Sequence, residues 1–269
     1  MKIAVFYENI YDGAKAKGLE MEDLLRGFKG EGMDLIYISA DSLRRDREWL
    51  LPLLKKLDIG IEGVHAFCDF GKDPDKPLGR DIIDLAAECG AGNLLFVPGM
   101  YSGKSTIECV NNMVKGLTSA VNYAKGQGLP VLIEDFDSTA SPYNSMLMLD
   151  WFFNKVEGLG CAFDTGNFVI YHEDELEAFE RFKHNIVTVH LKDRVTEKRH
   201  PGDSSYLCAD KQTVHSCQIG IGFIHIEEIL QRLKGMGYGG NVIAEVYGCD
   251  HDYILDDIHG SLGFLRDKV

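Results

Sequence analysis

The sequence lacks the features of a membrane or secreted protein. No apolar run approaches the roughly 20 residues that a membrane-spanning helix requires. The first residues do not have the three-part layout of a signal peptide. The seven cysteines are odd in number and are scattered without the spacing of a disulfide framework. We therefore expect a cytoplasmic protein with reduced cysteines and no membrane partner.

Basic residues are also scarce. Lys and Arg number 28 against 42 Asp and Glu, which gives a formal net charge of −14. A chain this acidic is repelled by the phosphate backbone of nucleic acids, so we expect no nucleic-acid partner. A local lysine or arginine could still hold one phosphate, so the net charge does not decide whether a small substrate is phosphorylated.

The sequence does contain a strict alternation of short apolar runs and longer amphipathic stretches. Eight apolar runs are predicted as strands, at residues 2–7, 35–38, 59–65, 93–97, 131–135, 161–165, 186–191 and 242–246. The stretches between and after them are predicted as helices, at residues 19–29, 46–57, 81–89, 106–125, 142–156, 174–183, 225–234 and 251–266. Ser141 and Pro142 are predicted as the N-cap and first residue of the helix at 142–156.

Eight strand–helix units in alternation predict an α/β fold in which a parallel sheet closes into a (β/α)8 TIM barrel. A hydrophobic content of 45% is ample for its core. We predict a single TIM-barrel domain over residues 1–269. A doubly wound open sheet is the alternative, but no Gly-rich dinucleotide-binding turn follows the first strand.

Residues 194–222 interrupt the regular alternation, because they separate the seventh strand from its helix. The segment is far longer than an ordinary βα connection, and it leaves the face of the barrel where active sites lie. It is either a surface insertion or a loop that covers the site or contacts another subunit. The second alternative is compatible with a homodimer or homotetramer.

Strands five to eight each end in a residue that can bind a metal: Glu134, Asp164, His190 and Glu245. In a barrel these strands are neighbours, so the four side chains should meet at the carboxyl-terminal mouth. Taken singly, each could be an ordinary polar residue at the start of a loop. Together they predict one divalent metal ion per chain. Oxygen ligands with one imidazole and no thiolate suit Mn²⁺, Mg²⁺ or Co²⁺, with Zn²⁺ a common substitute.

Two further residues are predicted near this mouth. His65 ends the third strand and could hold a substrate hydroxyl, or be a plain polar strand end. Lys192 follows His190 by two residues, so it lies on the same side of the strand. It could bind a substrate oxygen or phosphate, or be a solvated loop lysine. Residues 99–105 imitate a phosphate-binding loop but are one residue short between the glycines, so nucleotide binding is not expected.

The four strand ends also carry a resemblance. Leu-Ile-Glu134-Asp, Phe-Asp164-Thr-Gly-Asn, Val-His190-Leu-Lys-Asp and Ala-Glu245-Val resemble the metal set of the xylose isomerase-like barrel family. That family contains sugar isomerases and epimerases such as the tagatose and psicose 3-epimerases, hydroxypyruvate isomerase and inosose dehydratase, with endonuclease IV as a distant relative. The resemblance extends over essentially the whole chain in strand order and says little about the substrate.

The resemblance implies a sugar isomerase or epimerase in which Glu134 and Glu245 remove and return a proton on opposite faces of the substrate. Sugar epimerases of the family often have a His where this chain has Asn167, and an Arg that Arg194 matches only in a different register. Asn167 and Arg194 are thus expected at the substrate, and the sugar stays open.

The chemistry expected at such a site also stands without the analogy. A metal that chelates a carbonyl and the neighbouring hydroxyl would stabilise an enediolate, while a carboxylate takes the proton. An inosose dehydratase-like lyase on the same scaffold is the main alternative, because the same enediolate can expel a β-hydroxyl. A phosphodiesterase like endonuclease IV is a weaker one, because its site needs more histidines at the strand ends.

Overall fold

The computed structural model describes residues 1–74, 79–101 and 105–269. Eight parallel strands form a closed barrel. These strands are β1 (Ile3–Phe6), β2 (Met33–Ser39), β3 (Gly60–Phe67), β4 (Leu94–Val97), β5 (Val131–Ile133), β6 (Gly160–Asp164), β7 (Ile186–Leu191) and β11 (Val242–Ala244). Around the ring their order is β1-β11-β7-β6-β5-β4-β3-β2. The predicted (β/α)8 barrel is confirmed.

Helices surround the barrel between successive strands. They are α1 (Tyr7–Lys17), α2 (Met21–Gly30), α3 (Ala40–Leu57), α4 (Arg80–Glu88), α5 (Thr106–Lys125), α6 (Met146–Lys155), α7 (Glu175–Phe182), α8 (Ile226–Gly235) and α9 (Ile254–Leu265). A 3-10 turn lies at Phe168–Tyr171. Within the described residues, no helix combines the length and the apolarity needed to cross a bilayer.

The first connection differs from the prediction of one helix at residues 19–29. Two helices, α1 and α2, follow β1, and they are separated at Gly18, whose positive φ of 65° ends α1. The sequence signal of α1 is weak because small residues form much of its buried face. A Cβ at Gly13 would lie 2.5 Å from Leu255 of α9, so glycine there permits close packing of the two helices.

The predicted start of the helix at residues 142–156 was wrong. Helix α6 begins at Met146, and the Ser145 hydroxyl accepts the backbone N–H of Met148 as its cap. Ser141 instead accepts the N–H of Tyr143 inside a turn. The Ser-Pro pair forms a local turn and does not begin a helix, although the same residue types are common at helix starts.

Two layers of side chains fill the barrel interior. A cluster of buried, mainly apolar side chains occupies its middle: Ala4, Phe6, Leu35, Tyr37, Leu95, Leu132, Ala162 and Ile243. Near the amino-terminal ends of the strands, the buried carboxylate of Glu62 accepts hydrogen bonds from Asn93, Thr188 and Asn241. The carboxyl-terminal mouth is therefore the open end.

The long segment after β7 forms a small antiparallel sheet. Its strands are β8 (Asp193–Val195), β9 (Ser205–Leu207) and β10 (Thr213–Cys217), in the order β8-β10-β9. The period-two signal of these strands is weak because they are short and partly exposed. Residues 102–104 of the stretch that imitates a phosphate-binding loop lie outside the described residues.

Candidate active site

The barrel places the four strand-end residues beside one another. Asp164 ends β6 and is in register with His190 of β7. Glu134 directly follows β5, and Glu245 directly follows β11, which pairs with the other side of β7. Strand pairing therefore lines up the four side chains along one arc of the mouth.

Three of the four residues form a candidate metal group. Glu134, Asp164 and His190 each offer a ligand atom, and these atoms lie within 4.8 Å of one another. Glu245 lies outside that group but beside it, because its Oε2 atom is 3.0 Å from His190 Nδ1. Its role as a fourth ligand stays a prediction.

Lys192, two residues after His190, also belongs to this cluster. Its Nζ atom lies 2.7 Å from Asp164 Oδ2 and 2.6 Å from Glu245 Oε1. It also donates to Asn167 Oδ1 at 3.1 Å. The lysine is buried and ion-paired, and is not a solvated loop residue.

Several atoms of the cluster are buried without a hydrogen-bond partner in the part of the chain that the structure describes. They are Asp164 Oδ2, both ring nitrogens of His190 and Glu245 Oε2. Asp164 Oδ2 is ion-paired with Lys192 Nζ at 2.7 Å, but the contact lacks hydrogen-bond geometry. His190 Nδ1 is within ion-pair distance of both glutamates but without hydrogen-bond geometry. Unpaired buried polar atoms cost free energy. A cation bound by oxygens and one imidazole nitrogen would satisfy the carboxylate oxygens and one of the two ring nitrogens, so the residues fit a divalent metal ion.

Burial and neighbouring charge shift the pKa values of this group strongly. Burial raises the pKa of Asp164 to about 7, against the opposing effect of Lys192. Burial alone would also raise the pKa of Glu245, but Lys192 and His190 lower it to about 2. Burial alone would lower the pKa of His190, but Glu134 and Glu245 raise it to about 10. Of Asp164 and Glu245, Asp164 is thus the carboxyl group whose negative charge is less compensated.

Asp135, next to Glu134, is a second buried carboxyl group that the sequence did not single out. Both of its oxygens lack a hydrogen-bond partner among the described residues. Burial, with Asp164 and Glu134 nearby, raises its pKa well above the usual range. The neutral form of Asp135 is therefore favoured in this surrounding.

A cavity of about 390 Å³ opens above the cluster. It is lined by Phe6, His65, Phe67, Leu95, Val97, Glu134, Phe136, Asp137, Asn167, His190, Lys192, Tyr206, Glu245 and Tyr247. A separate groove of about 720 Å³ lies along α8, but none of the four strand-end residues lines it. The cavity at the mouth is therefore the candidate active site.

His65 lines the cavity at the end of β3, where the sequence predicted it. Its Nε2 atom is 3.5 Å from Glu8 Oε2, and its ring stacks on Tyr37 at an interplanar angle of 4°. Ser39 N donates to Glu8 Oε1 at 2.9 Å. Burial alone would raise the pKa of Glu8, but the hydrogen bonds with His65 and Ser39 lower it to about 2. Glu8 thus anchors one edge of the His65 ring.

Asn167 and Arg194 occupy different positions relative to the cavity. Asn167 lines it, and its Nδ2 atom donates to the Asp135 carbonyl at 2.9 Å. Arg194 is completely buried and does not line the cavity, although Nη2 donates to Asn167 Oδ1 at 3.1 Å. Direct contact of Arg194 with a substrate, as the resemblance implied, does not agree with this burial.

The sequence did not indicate Glu8, Asp137 or Tyr206. Glu8 lies in the first turn of α1, the helix that was missed, and Asp137 lies in the loop after β5. Tyr206 belongs to β9 inside the long segment and reaches the cavity only through folding of the small sheet. The one available signal was position, because Glu8 and Asp137 follow closely on barrel strands, where functional side chains are concentrated.

The fold and the site together define a TIM barrel with Glu, Asp and His side chains at consecutive strand ends. The chain belongs to the xylose isomerase-like TIM barrel family, whose profile matches residues 40–267. The resemblance drawn from the strand-end motifs is confirmed.

Similar proteins include both isomerising and dehydrating enzymes. The structure is similar to the IolI protein with a bound zinc atom, with a TM-score of 0.76 and 18% identity over 100% of this chain and 98% of that one. It is also similar to a D-allulose 3-epimerase from Methylomonas sp., with a TM-score of 0.74 and 18% identity over 100% and 98%. At such identities the likeness establishes the fold alone.

Two curated relatives match part of the chain by sequence, and both are inosose dehydratases. An inosose dehydratase from Lacticaseibacillus casei is 31% identical over 86 residues. The match covers 31% of this chain and 28% of that protein, so the chain matches less than a third of the relative's length.

Proposed function

We propose that the protein is a divalent-metal-dependent isomerase or epimerase of a small sugar or related polyol ketone. The observation that carries the proposal is one cluster at the mouth, formed by Glu134, Asp164, His190, Glu245 and Lys192. All of these residues except the fully buried Asp164 line the same cavity. Removal of a proton next to a carbonyl requires a base, such as a carboxylate, and a group that stabilises the enediolate oxygen. This cluster offers both.

Glu134, Asp164 and His190 would hold the ion, with Glu245 as the predicted fourth ligand. We propose one Mn²⁺, Mg²⁺ or Co²⁺ per chain, with Zn²⁺ as a substitute. When bound, such an ion supplies Lewis-acid polarisation of a carbonyl oxygen. Atoms of Asp164, His190 and Glu245 that lack a hydrogen bond to any described residue support this assignment.

Glu134 and Glu245 are proposed to carry the proton transfers. Their Oε2 atoms lie 3.3 Å and 3.0 Å from His190 Nδ1, so both carboxylates border the same small space. One would take the proton from the carbon beside the carbonyl, and the other would return it to the opposite face. Lys192 orients Glu245 and could donate to the substrate oxygen on which negative charge develops.

The cavity suits a small polyol. Five aromatic residues line it: Phe6, Phe67, Phe136, Tyr206 and Tyr247. A sugar would place its C–H faces against such rings while its oxygens reach the charged cluster. The volume of about 390 Å³ is near the lower end of ligand pockets in general, which span roughly 300–1,000 Å³.

The test is product analysis after the Mn²⁺-loaded protein has been incubated with a panel of ketoses. An isomer or epimer of at least one ketose is expected, and Asp164→Asn should abolish its formation. If no ketose is converted while the metal is bound, the proposed reaction is wrong.

A lyase is the second candidate, and the match to an inosose dehydratase is the observation that favours it. The same base would remove the proton beside the carbonyl, and a β-hydroxyl would leave as water. A dehydrated product, recognised by a mass lower by one water and by the absorbance of a new enone, would establish this reaction instead.

We also propose that no nucleic acid is a substrate, which sets aside the phosphodiesterase alternative. The net charge of −14 opposes binding to a phosphate backbone. Tight binding to duplex DNA at physiological salt would contradict this.

A further inference from the structure

Arg194 is a completely buried cation that connects several segments at the mouth. Nε donates to the Gly166 carbonyl at 3.0 Å, and Nη1 donates to Ser216 Oγ at 3.2 Å. Nη2 donates to Asp137 Oδ2 at 3.3 Å and to Asn167 Oδ1 at 3.1 Å. These partners belong to the loops after β5 and β6 and to β10, so one side chain ties three separate segments together.

The same guanidinium stacks on an aromatic ring. Its Cζ atom lies 4.1 Å from the centroid of the Tyr206 ring, which belongs to β9. Asp137, Asn167 and Tyr206 all line the cavity, whereas Arg194 does not. We call these three residues the Arg194 wall. Each member of this wall contacts the guanidinium directly.

The contact extends to a fourth cavity residue through one intermediary. Ser216 Oγ accepts from Arg194 and donates to the Tyr247 carbonyl at 2.6 Å. Tyr247 also lines the cavity. The guanidinium is therefore connected by hydrogen bonds to residues on both the β6 side and the β11 side of the mouth.

We infer that Arg194 is a positioning residue whose buried guanidinium builds the Arg194 wall, and that this wall selects the ketose the enzyme accepts. The inference rests on the proposed function for its substrate class. Tyr206 would supply a rigid ring for the C–H face of the sugar. Asn167 would supply an amide in a fixed orientation, because its Oδ1 atom accepts hydrogen bonds from both Arg194 and Lys192.

Arginine is required for this role on physical grounds. Its planar fork offers several donors in one plane while its face stacks on an aromatic ring. Lysine carries the same charge but has neither the fork nor the flat face. Arg194→Lys should therefore fail to hold the Arg194 wall in place although it keeps the positive charge. This variant distinguishes the effect of side-chain geometry from the effect of charge.

The first test compares Arg194→Met and Arg194→Lys with Arg199→Met. Arg199 is a suitable control because it lies in the same long segment and pairs with Asp257 at 2.7 Å, away from the cavity lining. For two ketoses that the wild type converts, Arg194→Met should lower kcat/KM by about 10²-fold for the better one, as misplacement of a positioning group does. The preference between the two ketoses should also change. Arg199→Met should leave that preference unaltered.

Chemical rescue of kcat/KM adds a measurement that a general loss of stability would not affect. In Arg194→Ala, free guanidinium at concentrations too low to unfold the protein should restore part of kcat/KM. Methylammonium should not. Equal losses for both ketoses, or rescue by both cations, would contradict positioning by the fork.

Crystal structures of the wild type, Arg194→Met and Arg199→Met give an answer that needs no substrate. Displacement of Asn167 and Tyr206 in Arg194→Met alone, with His190 in place, is the expected result. An unmoved wall would overturn the inference even if activity falls. If the wild type converts no ketose, the proposed function fails, and the crystal structures still decide whether Arg194 positions the wall.

Discussion

Lys192 Nζ lies 2.6 Å from Glu245 Oε1, and both side chains are buried at the mouth of the barrel. The same ammonium lies 2.7 Å from Asp164 Oδ2. Lys192 therefore compensates two carboxylates that come from strands on either side of β7. Buried pairs of this kind are costly to break, because the partner that remains is left charged and unpaired.

The first prediction concerns this lysine. In chelator-treated protein, Lys192→Met should lower the free energy of unfolding by about 3–5 kcal/mol, because Asp164 and Glu245 lose their cation. Saturating Mn²⁺ should then stabilise the variant more than it stabilises the wild type. Chemical denaturation with and without Mn²⁺ measures both effects. Lys29→Met, at a partly exposed pair with Asp34, is the control and should change stability by at most about 1 kcal/mol.

The second prediction concerns the metal. Metal analysis after mild purification should find about one divalent ion per chain, and Asp164→Asn or His190→Ala should lose most of it. Asp46→Asn is a matched control, because Asp46 is buried and accepts from Tyr7 at 2.7 Å far from the candidate metal group. Full occupancy in both site variants would show that the metal group has been assigned to the wrong residues.

The third prediction separates ligand from base. Gln keeps the shape of Glu and one coordinating oxygen but cannot accept a proton in the same way. Glu134→Gln and Glu245→Gln should each retain metal and lose turnover by about 10²–10⁴-fold, the usual range for a general base. If both variants convert substrate at the wild-type rate with metal bound, these carboxylates are ligands alone, and His65 or Lys192 becomes the candidate base.

The fourth prediction concerns pH and Glu8. Its pKa is lowered from 4.5 to about 2 in the folded protein. A lowered pKa means that the folded protein favours the ionised form, so its stabilising effect is complete above pH 4.5 and is lost as pH falls towards 2. Glu8→Gln should cost about 1–3 kcal/mol of unfolding free energy at pH 7.

The difference between wild type and Glu8→Gln should shrink steadily as the pH is lowered from 4.5 towards 2, as followed by urea denaturation. Glu48→Gln, on an exposed part of α3, serves as control, since surface substitutions usually change stability by less than about 0.5 kcal/mol. A cost for Glu8→Gln that stays constant with pH would contradict the role given to the Glu8 carboxylate.

The sequence was sufficient for the barrel and for the four strand ends. Strands buried on both faces give apolar runs that end sharply at a polar residue, as at Glu134 and Asp164. Because consecutive barrel strands are adjacent, positions far apart in sequence could be grouped without coordinates.

The rest of the site depends on tertiary contacts that leave little trace in a local pattern. Glu8 lies on a helix whose buried face contains small residues such as Gly13, so the periodic apolar signal is weak. Tyr206 reaches the cavity through the pairing of β9 with β10. Arg194 was expected at the substrate by resemblance, but the small sheet and the loop after β6 bury it completely.

The measurement that tests the central claim most directly is solvent exchange in deuterium oxide. The wild-type protein, loaded with Mn²⁺, is incubated with the ketose panel and the products are followed by proton NMR. The account predicts that deuterium enters the carbon beside the carbonyl of a ketose that is also isomerised or epimerised. Exchange without epimerisation in one of the two Gln variants, and neither in the other, would identify which carboxylate abstracts the proton. Absence of both exchange and conversion for every ketose, with the metal bound, would contradict the account.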